Sequence, residues 1–290
     1  METSRPRPQV KGLRAQGFTL IELVLVIVLV GVLGALTTKI ITFPINSYLD
    51  LARRTAMVDA ADMSLRLLQR DIRRSLPNSV RISADGYSLE LLHISDGGRY
   101  RANKNGNLGA TAGLCSVGGD PANDVLDFTA SDTCFEFMGS LQSLNPQATN
   151  GERVVVYNLG VAAADAYANN NSAVLQNAIN ANTLRFAATT FPFSSPNQRF
   201  HIVDTAITYR CDLINKQLLR YSNYAYTAVQ TNVPSGAVGQ LQVNNVSACS
   251  FVYTAGVATR AAQVQATITL TDARGESVTM FRQIHVDNVP

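Results

Sequence analysis

Few side chains in this sequence are placed to do chemistry, and the most conspicuous is Glu22. It is the only charge in the 21-residue run from Phe18 to Thr38, FTLIELVLVIVLVGVLGALTT. A carboxylate in an apolar medium costs about 2.5–3.5 kcal/mol on insertion scales, so a residue kept there needs a partner. The four cysteines, Cys115, Cys134, Cys211 and Cys249, can be disulfides or thiolate ligands. No C-x2-C pair occurs, which argues against zinc. His93, His201 and His285 fall in or beside strand-like stretches without an H-E-x-x-H, so ordinary strand histidines are expected. Asp120, Asp124, Asp127 and Asp132 form an acidic cluster that would suit calcium, but it lacks D-x-D-x-D-G. No G-x-S-x-G, Walker A or dinucleotide fingerprint appears. Neither catalysis, a resident metal nor a cofactor is expected.

The elements that must position Glu22 begin with a basic leader. Residues 1–17 hold Arg5, Arg7, Lys11 and Arg14 against Glu2 alone. That stretch carries the whole formal charge of +3, and the remainder balances at 20 basic against 20 acidic residues. No basic face is left for a nucleic-acid backbone. A helix over residues 18–38 spans roughly 30 Å, the thickness of a bilayer core. The positive-inside rule keeps residues 1–17 in the cytoplasm and exports the rest. No small-residue cleavage site follows the apolar run, so the cut is expected before it, between Gly17 and Phe18.

The string QGFTLIELVLVIVLVGVLGAL resembles the class III signal of type IV prepilins and type II secretion pseudopilins. The resemblance implies cleavage after Gly17 by a prepilin peptidase and methylation of the new amino group of Phe18. Removing 17 of 290 residues leaves 273. Glu22 becomes the fifth residue, the position that the family uses for subunit assembly. The freed amino group of a neighbouring Phe18 would then neutralise Glu22 in a low dielectric, and two chains satisfy each other only when staggered. The expected partners are other pilin subunits, the peptidase, the membrane and the inner-membrane assembly platform. The expected location is the inner membrane, single-pass with the C-terminal domain in the periplasm, and then a pilus or pseudopilus.

Beyond the apolar run, Leu51, Val58, Leu65 and Ile72 recur every seven residues with Ala61 and Leu68 between them, an amphipathic stripe. Asp50–Arg54 and Asp62–Arg66 are i,i+4 pairs on the wet face. Arg66, Arg70, Arg73 and Arg74, with Asp59, Asp62 and Asp71, read as that solvated face. The helix is expected over 18–76, kinked near Pro44 and stopped by Pro77-Asn78.

From residue 79 to 290 the period becomes that of strands, at Ser79–Ser83, Tyr87–Ile94, Val125–Ala130, Cys134–Met138, Arg153–Leu159, His201–Asp212, Leu218–Tyr226, Ser250–Thr254, Gln263–Thr271 and Ser277–Val286. Arg-Gly-Glu at 274–276 reads as a hairpin turn. Residues 161–182 read as a loop or one short helix, and Asp96–Gly109 as surface turns. Tyr224 and Tyr226 are placed on one strand face beside Tyr221 and Arg220. Helix first and antiparallel sheet after is an α+β layout, and it resembles the pilin fold. The exported cysteines meet an oxidising compartment. Nearest-neighbour bridges, Cys115–Cys134 and Cys211–Cys249, are expected from the three pairings four cysteines allow.

Residues 68–83, LQRDIRRSLPNSVRIS, resemble minor pilins of the MSHA system, the MshO-like group. The resemblance implies a non-enzymatic minor pilin that primes assembly or sits at the tip. A minor pseudopilin of type II secretion and a pilus-displayed adhesin are the alternatives.

Overall fold

The computed structural model describes residues 17–102, 125–141, 151–180, 183–256 and 261–286. The chain divides into two compact units, residues 1–55 and 56–290, and one helix, α1 (Leu20–Arg73), contributes to both.

In the first unit α1 is an apolar rod. The window Leu20–Thr37 has a mean hydropathy of 2.8 and none of it is buried. Pro44 lies inside the helix without ending it. Leu51, expected in the buried stripe, is exposed. Asp50 pairs with Arg53.

In the second unit the last turns of α1 bury Met57, Ala61, Leu65, Leu68 and Ile72, the i, i+4, i+7 face that the heptad spacing indicates. The helix stops at Arg73, three residues before the expected end at Leu76. Pro77 disfavours helical backbone at the residue before it. The freed segment instead joins strand backbone. Leu76 N–H donates to Leu92 O at 2.8 Å and Ile94 N–H to Arg74 O at 2.9 Å.

Twelve strands follow among the described residues: β1 (Arg81–Ile82), β2 (Ser88–Tyr100), β3 (Asp132–Met138), β4 (Arg153–Val156), β5 (Ser172–Asn180), β6 (Thr183–Thr189), β7 (Arg199–Asp212), β8 (Gln217–Tyr221), β9 (Gln240–Asn244), β10 (Val246–Thr254), β11 (Ala262–Thr271) and β12 (Ser277–Val286). All pairings are antiparallel. The last three form a meander, β10-β11-β12. In β11, Ala262, Val264, Ala266, Ile268 and Leu270 are buried, while the residues between them face outward, a strict period of two. This meander, the helix stripe, and Leu89, Leu91, Ile207, Tyr209, Leu218 and Val243 share one core.

The other nine strands are one sheet, and their pairings close on themselves. β2 meets β3, β3 meets β6, β6 meets β5, β5 meets β4, β4 meets β7, and β7 returns to β2. This six-strand circuit holds a second core of Phe135, Phe137, Phe186, Phe191 and Phe200 with Tyr100 and aliphatic residues. Phe135 and Phe200 meet edge-on at 5.0 Å, an orientation that the ring quadrupoles favour. β2 and β7 each serve both halves of the sheet, and their pairing shifts register at His93, Ile94 and Asp96.

Several expectations are corrected. Residues 161–182 contain the short helix Ala166–Ala168, but Ser172–Asn180 is strand β5. Val125–Ala130 is not a strand, Arg153–Leu159 is strand only to Val156, and Leu218–Tyr226 only to Tyr221. The start of Asp96–Gly109 is not surface turn, because β2 continues to Tyr100, and residues 103–109 lie outside the described ones. Glycine permits that continuation. A Cβ on Gly97 would meet Phe200 O at 2.9 Å, and one on Gly98 would meet the Phe200 ring at 3.0 Å.

Candidate functional site

The apolar helix begins with a local cap. Residues 17–19 are outside the helix and Leu20 opens it. Thr19 Oγ1 accepts from Glu22 N–H at 3.4 Å, and Thr19 O accepts from Leu23 N–H at 3.1 Å. Thr19-Leu20-Ile21-Glu22 therefore has the spacing of a capping box, with Glu22 three residues after the cap. Its negative charge in the first turn complements the helix dipole. Thr19 is a helix cap that sequence reasoning missed, although T-x-x-E was there to be read.

Around this start the surface is apolar and exposed. Phe18 is 79% accessible and Leu20 81%, and the side chains of Ile21, Leu23, Val24, Leu25 and Ile27 are also exposed. At roughly 25 cal/mol per Å² such a surface has a strong drive to leave water. Its length and composition fit a bilayer crossing. Among the described residues, nothing beyond the helix's own nearby backbone lies within 4 Å of where a Cβ on Gly31 or Gly34 would stand.

The cysteines are placed as follows. Cys211 on β7 and Cys249 on β10 are joined, with Cα atoms 6.2 Å apart, and both are buried. The bridge ties the large sheet to the meander. Cys134 is buried on β3. Cys115 lies outside the described residues, and with it the expected Cys115–Cys134 pairing. Asp120 and Asp124 lie outside them too. Asp127 and Asp132 serve as local turn acceptors, with Asp132 Oδ2 taking Asp127 N–H at 2.8 Å and Asp127 Oδ1 taking Thr129 N–H at 2.7 Å. Among the described residues no three His, Cys, Asp or Glu side chains are grouped to hold a metal. All three histidines are in strands, and His93 Nδ1 is 2.7 Å from Asp204 Oδ1.

Two clusters differ from expectation. Asp62 does pair with Arg66, at 2.5 Å, but it also takes Arg282 of β12 at 2.6 Å. Asp71 is not on a solvated face. It is buried, and its Oδ2 accepts from Tyr209 Oη at 2.8 Å and Arg220 Nε at 2.7 Å. Burial, then the adjacent Asp71 charge, holds the Tyr209 hydroxyl far above the usual tyrosine range. Tyr224 and Tyr226 share no strand face, because both lie past the end of β8. Tyr224 Oη bonds Thr208 Oγ1 at 2.6 Å and donates to Glu90 Oε1 at 3.1 Å, while Tyr226 packs edge-on against Tyr167.

Residues 13–38 match the family described as the prokaryotic N-terminal methylation motif. No curated protein and no solved structure matches the chain. The layout is α+β, an apolar N-terminal helix followed by a large antiparallel domain, and with the motif it supports a type IV pilin-like protein. Families bearing this motif are structural subunits. The motif implies processing by prepilin peptidase and assembly with other pilins, and with the apolar helix it points to a membrane-anchored pilin.

Proposed function

We propose that this chain is a minor subunit of a type IV pilus of the MSHA kind, active in priming or tip assembly. The peptidase removes residues 1–17, and the new amino group of Phe18 is methylated. Residues 18–38 hold the subunit in the inner membrane with residues 79–290 in the periplasm until the assembly platform draws it into the fibre. Glu22 then pairs with the Phe18 amino group of an adjoining subunit. The reading rests chiefly on the methylation motif over residues 13–38, continuous with an exposed apolar helix that carries one carboxylate. The chain acts as a structural part and not as an enzyme.

Mass spectrometry of sheared fibres tests this. The expected product starts at N-methylated Phe18 and lacks the basic leader. Glu22→Val is expected to insert in the membrane normally yet to be missing from fibres. Recovery of the uncleaved chain in fibres, or normal incorporation of Glu22→Val, would refute the reading. Finding the chain in a secretion apparatus instead of surface fibres would assign it to a pseudopilus.

A further inference from the structure

The nine-stranded sheet is split on one side of β7. β4 pairs with Phe200–Val203 and β8 with Thr208–Asp212, so residues 204–207 have no strand beside them on that flank. The split coincides with the register shift against β2, where His93 faces Thr205 and Ile94 faces Val203. Asp204 is therefore the extra residue of a bulge, a device that re-aims a side chain and recurs beside binding sites. His93 fixes it at 2.7 Å.

A cleft of about 690 Å³ opens there, within the range of small-ligand sites, roughly 300–1,000 Å³. Arg153 and Asp204 line it from β4 and β7, Glu152 from the residue just before β4, and Asn169, Tyr224 and Tyr226 from the flanking loops. Asn169 and Asn223 turn the chain around it in left-handed conformations, φ 59° each, which asparagine tolerates. Asn223 N–H donates to Thr205 Oγ1 at 2.8 Å, anchoring the loop to the unpaired stretch of β7. Arg153 is positioned by Ser172, its Nε donating to Ser172 Oγ at 2.9 Å and its Nη2 to Ser172 O at 3.2 Å. The Tyr226 hydroxyl is buried without a hydrogen-bond partner. Such an orphan costs free energy, and Tyr226 is one of the residues that line the cleft.

We infer that this cleft is a binding site for a neutral saccharide. The chemistry of the lining selects that class. Asp204 and Glu152, when ionised, only accept hydrogen bonds, and Arg153 only donates. A ligand must therefore donate and accept at close spacing, which sugar hydroxyls do. An ammonium group has no acceptor to offer Arg153, and an acidic ligand would meet two carboxylates. An apolar ligand would leave all of these groups unsatisfied. Tyr224 and Tyr226 add apolar ring surface for the C–H faces of a sugar. Burial, and then the neighbouring Asp204 charge, raises the Glu152 carboxyl above the usual carboxylate range. The inference does not depend on the subunit reading above. A site here would serve a surface fibre or a secretion pseudopilus alike.

The test uses the full chain in a detergent without a sugar headgroup. Neutral di- and trisaccharides, their sialylated counterparts and spermidine are titrated by calorimetry. Neutral sugars are expected to bind, and the charged probes at least about ten-fold more weakly. Tyr226→Phe and Asp204→Asn are each expected to weaken binding roughly ten-fold, the worth of one good hydrogen bond. Tyr226→Phe should leave thermal unfolding unchanged or raise it, since its hydroxyl has no partner in the protein. Asp204→Asn keeps the shape of the bulge residue if Tyr226→Phe misfolds. No binding of any neutral sugar at about 10 mM, stronger binding of spermidine or sialylated probes, or wild-type affinity in the folded variants would overturn the assignment.

Discussion

Replacing Asp71 by Ala gives the sharpest test of how the amphipathic half of α1 is held. Asp71 sends one carboxylate oxygen to two different strands, Tyr209 on β7 at 2.8 Å and Arg220 on β8 at 2.7 Å. Its side chain is 4% exposed and that of Arg220 16%. Removing one partner of a buried ion pair costs about 3–5 kcal/mol, because the remaining charge is stranded away from water. Arg220 keeps some solvent contact and a long bond to Ser222 Oγ at 3.4 Å, which points to the low end, about 3 kcal/mol. Tyr209→Phe removes one neutral donor and should cost about 1 kcal/mol. The triple change Asp71→Leu, Tyr209→Phe, Arg220→Met removes every buried polar group at once and should fall within about 1 kcal/mol of wild type. The chain has no tryptophan, so urea unfolding is followed by tyrosine near-UV circular dichroism. For a domain of this size each kcal/mol also moves the midpoint temperature by roughly 2–4 °C. If Asp71→Ala costs no more than Tyr209→Phe, the ion pair is a surface contact in solution and the account is wrong.

Two further outcomes are expected. Cys211→Ala with Cys249→Ala should destabilise the folded domain by about 2–4 kcal/mol, since a bridge closing a 38-residue separation restrains the unfolded chain by about 4 kcal/mol in the chain-entropy model; an unchanged urea midpoint would contradict this. Asp85 sits at about 2, because burial is outweighed by the Ser83 hydroxyl, Arg210 and the Tyr87 N–H. Its folded pKa lies below the unfolded one, so its contribution is complete above about pH 4 and is lost as pH falls toward 2. Solvent screening keeps that contribution under about 1 kcal/mol. Asp85→Asn should therefore lower stability slightly at pH 7 and reduce its dependence on pH between 4 and 2, and an unaltered acid profile would sink the assignment.

The helix and the meander were legible because each has one apolar face and one wet face. Leu65, Leu68 and Ile72 announce a helical period, and Gln263–Thr271 alternates with a period of two. The six-strand circuit was not legible. Ser172–Asn180 reads Ser-Ala-Val-Leu-Gln-Asn-Ala-Ile-Asn, with little β-branched content, and it becomes a strand through pairing on both sides with β4 and β6. Strand propensity of that kind is supplied by neighbours, not by the residues themselves. β9, Gln-Leu-Gln-Val-Asn, is equally poor in β-branched residues and, among the described strands, pairs with β8 alone. Asp71 was misread because its spacing places it among surface arginines, and only the approach of β7 and β8 buries it.

The N-terminal motif over residues 13–38 was legible for a different reason. It is built from residues adjacent in sequence, so no tertiary contact is needed to see it. The Thr19 cap raises a competing explanation, in which Glu22 is there merely to start a helix. Magnitudes decide between the two. An N-cap contributes about 1 kcal/mol and a charge at the first turn a few tenths more, up to about 1. Placing the carboxylate in hydrocarbon costs about 2.5–3.5 kcal/mol. Capping thus offsets at most part of that cost. The cap hydrogen bond also uses the Glu22 backbone N–H, so it leaves the carboxylate itself still to be satisfied. A glutamine at position 22 could equally complete a capping box without the charge. Glu22→Gln therefore separates the roles: it should preserve the helix start, seen as unchanged helical circular dichroism in micelles, while failing to enter fibres, the outcome also expected of Glu22→Val.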